Sequence, residues 1–123
     1  MNKPRILVID DEPGFTRLVK LVLRRYDIRE ENDATRAFNT ALAFRPDLIL
    51  MDVIMPGLDG GNLAAKCRAH VVLKHIPIVF LTAVVSRDEA GEAPKQIGGF
   101  PFLAKPVSPD ALERCIQEYL PAA

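Results

Sequence analysis

The chain has 123 residues, with 16 basic and 16 acidic side chains and a pI near 6.7. This length suits one domain with an ordinary buried core, and the balanced charge excludes the global positive field that nucleic-acid and anionic-membrane binding normally use. The apolar runs are far shorter than the ~20 residues of a membrane helix, and Asp10-Asp11-Glu12 directly behind the first run is unlike a signal peptide. We therefore expect a single cytoplasmic domain over residues 1–123.

The two cysteines, Cys67 and Cys115, are too few for a disulfide framework and are expected to be apolar core residues. Cys67, His70 and His75 could also be interpreted as metal ligands, because Cys67 and His70 would share a helix face. The missing fourth ligand and the strand start expected at Pro77 favour core packing.

In chain order, the first predicted element is a strand over Arg5–Ile9 that leads into Asp10-Asp11. A helix is predicted from Pro13 to near Tyr26, because Pro suits a first helical position and an apolar stripe follows. The stripe consists of Phe15, Leu18, Val19 and Val22.

Residues 28–31 are predicted as a strand only because an α/β alternation needs one there. A second helix ends at Arg45-Pro46, since the residue before a proline disfavours helical geometry. This helix is predicted from apolar residues at helical spacing: Ala34, Ala37, Phe38, Ala41 and Leu42.

The third predicted strand, residues 48–51, runs into Asp52, and a loop over 55–60 precedes the third helix. That helix is indicated by Leu63, Ala64, Cys67 and Val71. The fourth strand is Ile78–Thr82. In residues 86–99 the pattern weakens, because Gly91 and Pro94 cost about 1 and about 3 kcal/mol inside a helix. The fourth helix is therefore expected to be short, kinked or mobile.

The fifth strand covers residues 102–104 and leads into Lys105-Pro106. Ser108 is predicted to cap the last helix, with Pro109 at its first position and Asp110 in its first turn. The apolar stripe of this helix is Leu112, Ile116, Tyr119 and Leu120. Five strands alternating with five helical segments predict a doubly wound parallel sheet with helices on both faces.

Chemically active side chains follow four of these strands: Asp10-Asp11, Asp52, Thr82 and Lys105. They are expected to converge, because ligand sites in open parallel sheets lie beyond the carboxyl ends of the strands. Crowded carboxylates repel one another unless a cation lies between them, so the three aspartates predict a hard ion, for which Mg²⁺ is suited. Asp52, between a metal and Lys105, is a candidate nucleophile toward phosphorus.

Each of these residues also has an ordinary structural interpretation when taken alone. An aspartate at a strand end is often a turn or helix-cap residue, Lys105 could be an edge lysine, and Thr82 a β-branched strand residue. The combination at four separate strand ends favours a functional site.

Four stretches resemble the receiver domain of two-component response regulators, and the similarity spans essentially the whole chain. They are residues 6–12, 47–60, 81–83 and 102–106. The resemblance implies a CheY-like (flavodoxin-like) order of five parallel strands. It also implies a phosphoacceptor switch, not an enzyme with a separate substrate: Asp52 would take a phosphoryl group from a histidine kinase phosphohistidine, a phosphotransfer protein or a small phosphodonor.

The same resemblance implies the surrounding roles. Asp11, Asp52 and the backbone carbonyl of Ile54 would ligate Mg²⁺, with Asp10 assisting largely through water. The phosphoryl oxygens would be held by Lys105, the Thr82 hydroxyl and the Ala83 N–H. The Lys105-Pro106 bond would be cis, an isomer that proline makes accessible.

Switching would couple the Thr82 hydroxyl to the ring of Phe102. It would change the surface near the fourth strand, the helix within 86–99 and the fifth strand, which would control a protein partner or an output domain outside this chain. Ile54 and Val84 would flank the path of the hydrolytic water, and because both are apolar we expect slow loss of the phosphoryl group. No direct nucleic-acid or membrane partner is expected.

Three other classes of function compete with this interpretation. A flavin-binding electron carrier needs phosphate-cradling groups where Asp10-Asp11-Glu12 would repel a phosphate. A haloacid dehalogenase-type phosphatase needs two aspartates one residue apart and a cap domain. A phosphorylation-independent, receiver-like scaffold stays open, although the complete set of site residues argues against it.

Overall fold

Five parallel strands form the central sheet of the computed structural model, which describes residues 3–55, 58–82, 96–97, 100–105 and 107–120. The strands are β1 (Arg5–Ile9), β2 (Asp27–Glu31), β3 (Leu48–Asp52), β6 (Ile78–Thr82) and β8 (Phe100–Ala104). Their spatial order is β2-β1-β3-β6-β8. All four pairings between neighbours are parallel, which confirms the doubly wound sheet and its strand order.

Three short strands complete the described β-structure. β7 (Gln96–Ile97) pairs antiparallel with β8 at the sheet edge. β4 (Ile54–Met55) and β5 (Leu58–Asp59) pair with each other; apart from Ile54, they lie within residues 55–60, which the sequence predicts as a loop. Each of these three strands is two residues long, so they extend the predicted architecture without changing its topology.

The described α-helices are α1 (Pro13–Val22), α2 (Ala37–Phe44), α3 (Gly60–Ala69) and the C-terminal α4 (Pro109–Tyr119). A 3₁₀ turn, Ala34–Arg36, precedes α2. The predicted cap of α4 is present, because the Ser108 Oγ accepts a hydrogen bond of 3.1 Å from the Ala111 N–H. None of the described helices has both the length and the apolar character needed to cross a membrane.

Two hydrophobic cores cover the two faces of the sheet. On one face, alternate residues of the strands pack against α2 and α3; this core includes Leu7, Ile9, Ile49, Met51, Phe80, Ala41 and Cys67. On the other face the remaining strand residues pack against α1 and α4; this core includes Ile6, Val8, Leu48, Leu50, Val79, Val19, Cys115 and Ile116. Burial raises the pKa of each cysteine thiol to about 11, which agrees with the core role predicted for both.

The first helix differs from its prediction. α1 ends at Val22 instead of near Tyr26, because Leu23 leaves helical geometry and the chain turns there toward β2. Leu18 and Val22 of the predicted stripe are 57% and 39% exposed. Val19 of the stripe is buried and Phe15 is partly buried against the core, as predicted. The other buried side chains are Thr16 and Leu23, so the inward face is rotated and contains a hydroxyl.

The third helix also ends earlier than expected. α3 stops at Ala69, and Val71 is 73% exposed in the following turn. The ring of His70 packs edge-on against Phe38, and its Nδ1 accepts a 3.0 Å hydrogen bond from the Val72 N–H. These contacts agree with packing rather than metal ligation by His70.

The fourth predicted helix, within residues 86–99, can be compared with the structure at only two residues. Gln96–Ile97 form β7 and are therefore not helical. Residues 86–95 and 98–99 lie outside the described part of the chain. The expected irregularity of this helix stays a prediction.

Candidate functional site

Three aspartates meet at the carboxyl edge of the sheet. Asp10 follows β1, Asp52 ends β3, and these two strands are neighbours. One carboxylate oxygen from each of Asp10, Asp11 and Asp52 can be chosen so that all lie within 4.8 Å of one another. Asp10 is 1% exposed and Asp52 9% exposed, whereas Asp11 is exposed. The convergence predicted from the strand ends is present for all three carboxylates.

Lys105 reaches this cluster from the end of β8. Its Nζ donates a 2.5 Å hydrogen bond to Asp10 Oδ2 and lies 3.6 Å from Asp52 Oδ2. The ammonium also lies 4.4 Å from the ring centroid of Phe15. Burial lowers the pKa of Lys105, but the hydrogen bond and charge of Asp10, with the charges of Asp52 and Glu12, outweigh this effect and leave the pKa raised. The amine therefore stays protonated at neutral pH.

The backbone around Asp10 is tied to the end of β2. The Asp10 N–H donates to the Glu31 carbonyl (3.1 Å), and the Asp10 carbonyl accepts from the Asn32 side-chain amide (2.8 Å). Within the turn, Asp10 Oδ1 accepts a 3.0 Å hydrogen bond from the Glu12 N–H. These bonds fix the acidic turn between β1 and α1 relative to the sheet.

The other predicted site residues are placed only in part. Thr82 ends β6 opposite Ala104, and Phe102 pairs with Phe80 and is half-buried. Ile54 begins β4, two residues after Asp52. The side chains of Thr82 and Ile54 are not described, and Ala83, Val84 and Pro106 lie outside the described residues. Their expected roles stay predictions.

Four residues near the site were missed by sequence reasoning: Phe15, Thr16, Glu30 and Asn32. Phe15 packs against the core, as its apolar stripe predicts, and its ring also contacts the Lys105 ammonium, which was not predicted. Thr16, Glu30 and Asn32 are linked by hydrogen bonds next to Asp10. The available signal was the polar end of β2, which is unusual for a strand in a doubly wound sheet.

The arrangement fits a small hard cation. Lys105 balances one of three carboxylate charges, which leaves excess negative charge in a mostly buried site. Carboxylate oxygens are ligands that Mg²⁺ prefers, and a site with one exposed aspartate leaves coordination positions for water or phosphate oxygens. Of the described residues, only these three aspartates bring three potential metal-ligating side chains together.

Comparison with known proteins gives one consistent result. A family model, the response regulator receiver domain, matches residues 6–117. The response regulator PleD of Caulobacter vibrioides is 36% identical over 105 residues, covering 84% of this chain and 23% of PleD. Sporulation initiation phosphotransferase F of Bacillus subtilis is 28% identical over 123 residues, covering 98% of this chain and 97% of that protein.

A solved structure agrees with these relatives. It is the receiver domain of the sensor histidine kinase PA1611 from Pseudomonas aeruginosa PAO1, with a magnesium ion coordinated in its active-site cleft. It is 30% identical, has a TM-score of 0.81, and the match covers 98% of each chain.

The fold and the acidic edge thus define a doubly wound α/β domain with a candidate cation site at the carboxyl edge of its sheet. The chain belongs to the response regulator receiver family. It spans about a quarter of the length of PleD, so the activities of such longer relatives do not carry over to it directly.

Proposed function

We propose that this chain is a Mg²⁺-dependent phosphoacceptor switch of a two-component system, with Asp52 as the phosphorylated residue. The observation that carries the proposal is the position of Asp52, whose carboxylate lies beside two further aspartates and 3.6 Å from the Lys105 ammonium. Bound Mg²⁺, held by Asp11, Asp52 and the Ile54 carbonyl with Asp10 assisting largely through water, would neutralise charge on the phosphoryl oxygens.

The chain's own residues account for the transfer. An Asp52 carboxylate oxygen forms the new bond to phosphorus while the bond from phosphorus to the donor histidine nitrogen breaks, and that nitrogen keeps the electron pair. The protonated Lys105 is close enough to Asp52 to hold a phosphoryl oxygen. Its ammonium also lies 4.4 Å from the centroid of the Phe15 ring, within cation–π range. The Thr82 hydroxyl and the Ala83 N–H are proposed to hold the other oxygens, with Pro106 in a cis bond.

The proposed donor is the phosphohistidine of a sensor kinase or phosphotransfer protein. Apolar surface for such a protein is available on α1, which begins beside the site, because Leu18 and Leu21 are 57% and 55% exposed. The similarity to a phosphotransferase along nearly the whole of both chains supports this class of partner. A downstream protein or output domain would then respond to the phosphorylated state.

The decisive experiment is phosphorylation by acetyl phosphate with MgCl₂, followed by intact-mass measurement. We expect the mass of one phosphoryl group to be added, to be removed by hydroxylamine as an acyl phosphate requires, and to be absent with a chelator. Asp52→Asn should abolish the addition. Asp47→Asn is the matched control, because Asp47 precedes the same strand at its other end, where its carboxylate accepts from the Arg5 N–H.

The outcomes separate the proposed switch from a scaffold. Modification that persists in Asp52→Asn would place the phosphoacceptor elsewhere. A wild-type chain that binds Mg²⁺ but is never modified would favour the phosphorylation-independent scaffold.

Two finer roles belong to the same proposal. Thr82→Ala should leave Asp52 phosphorylatable but reduce the chemical-shift change of the Phe102 ring on phosphorylation. The reason is that no hydroxyl would then bind the phosphoryl group and couple it to the ring. A full response of the ring without the hydroxyl would contradict this coupling.

The lifetime of the phosphorylated state depends on the apolar Ile54 and Val84, which cannot orient a water molecule. Ile54→Asn combined with Val84→Glu should shorten the lifetime, measured as loss of the acyl phosphate after removal of the donor. Equal decay in wild type and double variant would show that water access is controlled elsewhere.

A further inference from the structure

The end of β2 carries a chain of polar contacts that the proposed phosphotransfer does not itself use. Thr16 of α1 is fully buried, although it is a polar residue on a helix packed against the sheet. Its partners are Glu30 at the end of β2 and Asn32 just beyond it. A buried hydroxyl is costly unless it is hydrogen-bonded, so these partners are what allow Thr16 to face inward.

The direction of each hydrogen bond follows from the chemistry of the groups. The Asn32 side-chain nitrogen lies 2.8 Å from the Asp10 carbonyl oxygen, which can only accept, so the amide must donate there. The same nitrogen donates its second hydrogen to Thr16 Oγ1 at 2.9 Å. The single Thr16 hydroxyl hydrogen then goes to the Glu30 carboxylate at 2.8 Å in preference to the Pro13 carbonyl at 3.2 Å.

This series of hydrogen bonds ends at the peptide group that joins Asp10 to Asp11. Because the Asp10 N–H is held by the Glu31 carbonyl and the Asp10 carbonyl by Asn32, the backbone of Asp10 is clamped on both sides by the end of β2. The Asp11 carboxylate is exposed, and its direction depends on the backbone that precedes it. These bonds therefore hold the Asp10-Asp11 peptide in place and keep the carboxylates of Asp10 and Asp11 close to that of Asp52.

We propose that Asn32 and Thr16 are positioning residues for the cation site, with Glu30 as the acceptor that orients the Thr16 hydroxyl. This inference rests on the proposed function, since it assigns these residues to the Mg²⁺ site used there. They do not touch the cation. They restrict the conformations of Asp10 and Asp11 before the cation binds, so that less conformational entropy is lost on binding, as outer partners of metal ligands do.

The test compares Mg²⁺ affinity, measured by calorimetry on the unphosphorylated protein, across matched variants. Asn32→Ala removes the bond to Asp10 and should weaken Mg²⁺ binding about 10-fold. Thr16→Val removes only the hydroxyl and should weaken it less, whereas Thr16→Ser should restore wild-type affinity. Thr40→Val is the control, because Thr40 also donates to a carboxylate, that of Glu31 at 2.5 Å, but the structure shows no bond from it to Asp10.

A second readout distinguishes positioning from general stability. The rate of phosphorylation by acetyl phosphate is measured against Mg²⁺ concentration, and urea unfolding is measured without Mg²⁺. Asn32→Ala should raise the Mg²⁺ concentration needed for half-maximal rate and leave the rate at saturation unchanged. Thr40→Val, with a comparable loss of stability, should leave the half-maximal concentration unchanged.

The outcomes of the two proposals differ. If wild type binds Mg²⁺ and is phosphorylated while Asn32→Ala and Thr16→Val match Thr40→Val in affinity, the positioning role is wrong and the phosphoacceptor function stands. If wild type neither binds Mg²⁺ nor is phosphorylated, the proposed function itself is wrong.

Discussion

The two ends of β3 carry the same type of residue in opposite settings. Asp47 precedes the strand, is exposed, and its carboxylate accepts a 2.8 Å hydrogen bond from the Arg5 N–H. Asp52 ends the strand, is 9% exposed, and lies among two other carboxylates and the Lys105 ammonium. The strand is the same, so the difference comes from what neighbouring strands bring to each edge of the sheet.

The ion pairs at the two edges differ in the same way. At the carboxyl edge, the Lys105 and Asp10 side chains are 13% and 1% exposed. Near the amino edge, the side chains of Arg25 and Glu113 are 64% and 25% exposed, at 2.7 Å. Water screens the Arg25–Glu113 pair but hardly reaches the Lys105–Asp10 pair. Removing a charge should therefore change stability at the carboxyl edge and have little effect near the amino edge.

The largest effect is expected from Lys105→Met. Removing the ammonium leaves the buried Asp10 carboxylate without its cation, and the free energy of unfolding without Mg²⁺ should fall by about 3 kcal/mol. Added Mg²⁺ should recover more stability in this variant than in wild type, because the cation replaces the lost charge. Urea unfolding with and without MgCl₂ measures both quantities.

The amino edge supplies the control, Arg25→Met, which should leave the free energy of unfolding unchanged within error. A loss as large as that of Lys105→Met would contradict the contrast between the edges.

The pH dependence gives a further check on the same pair. The pKa of Lys105 is raised in the folded state, so the folded protein keeps this proton to higher pH than the unfolded chain does. The stabilisation is complete below the unfolded value, about 10.4, and is lost as pH rises through the folded pKa. In this pH range, the free energy of unfolding of wild type should therefore fall more steeply with rising pH than that of Lys105→Met.

A smaller effect of opposite sign is expected from Asp11→Asn. This change removes one of three carboxylates within 4.8 Å, and relief of repulsion should stabilise the metal-free protein by about 1 kcal/mol. The Mg²⁺ dependence of the melting temperature should disappear at the same time. A variant as responsive to Mg²⁺ as wild type would contradict the assignment of the cation site.

The smallest effect is expected at the amino edge, at Arg45. This residue follows α2 with φ 52° and ψ 66°, the left-handed region, where a side chain costs about 1 kcal/mol or more. Arg45→Gly removes that strain but adds freedom to the unfolded chain, so a net gain of about 0.5 kcal/mol is expected. Thermal unfolding measures it, with Arg45→Ala as the control that keeps a Cβ and should gain nothing.

Sequence reasoning was reliable where one physical signal dominated. The buried strands β1, β3 and β6 were readable because apolar residues run without interruption when both faces of a sheet are covered. The start of α4 was readable because Ser108-Pro109 is a local capping signal. Convergence of Asp10, Asp11 and Asp52 followed from topology alone.

It failed where a side chain's partner is distant in sequence. The apolar residues of α1 predicted an inward face with Leu18 and Val22, yet Thr16 is buried because Glu30 and Asn32 satisfy its hydroxyl. The sequence also did not predict that Lys105 lies closer to Asp10 than to Asp52.

The sequence by itself determined the alternation of strands and helices, the family resemblance and the acidic edge, because these depend on local periodicity and on residues placed at strand ends. Only the tertiary structure decided which face of α1 is buried and which carboxylate Lys105 bonds more closely, that of Asp10 or that of Asp52. It alone also showed that the polar end of β2 holds the Asp10-Asp11 turn by hydrogen bonds. The physical reason is that hydrogen bonds and ion pairs between elements depend on distances of a few ångströms, which periodicity does not encode.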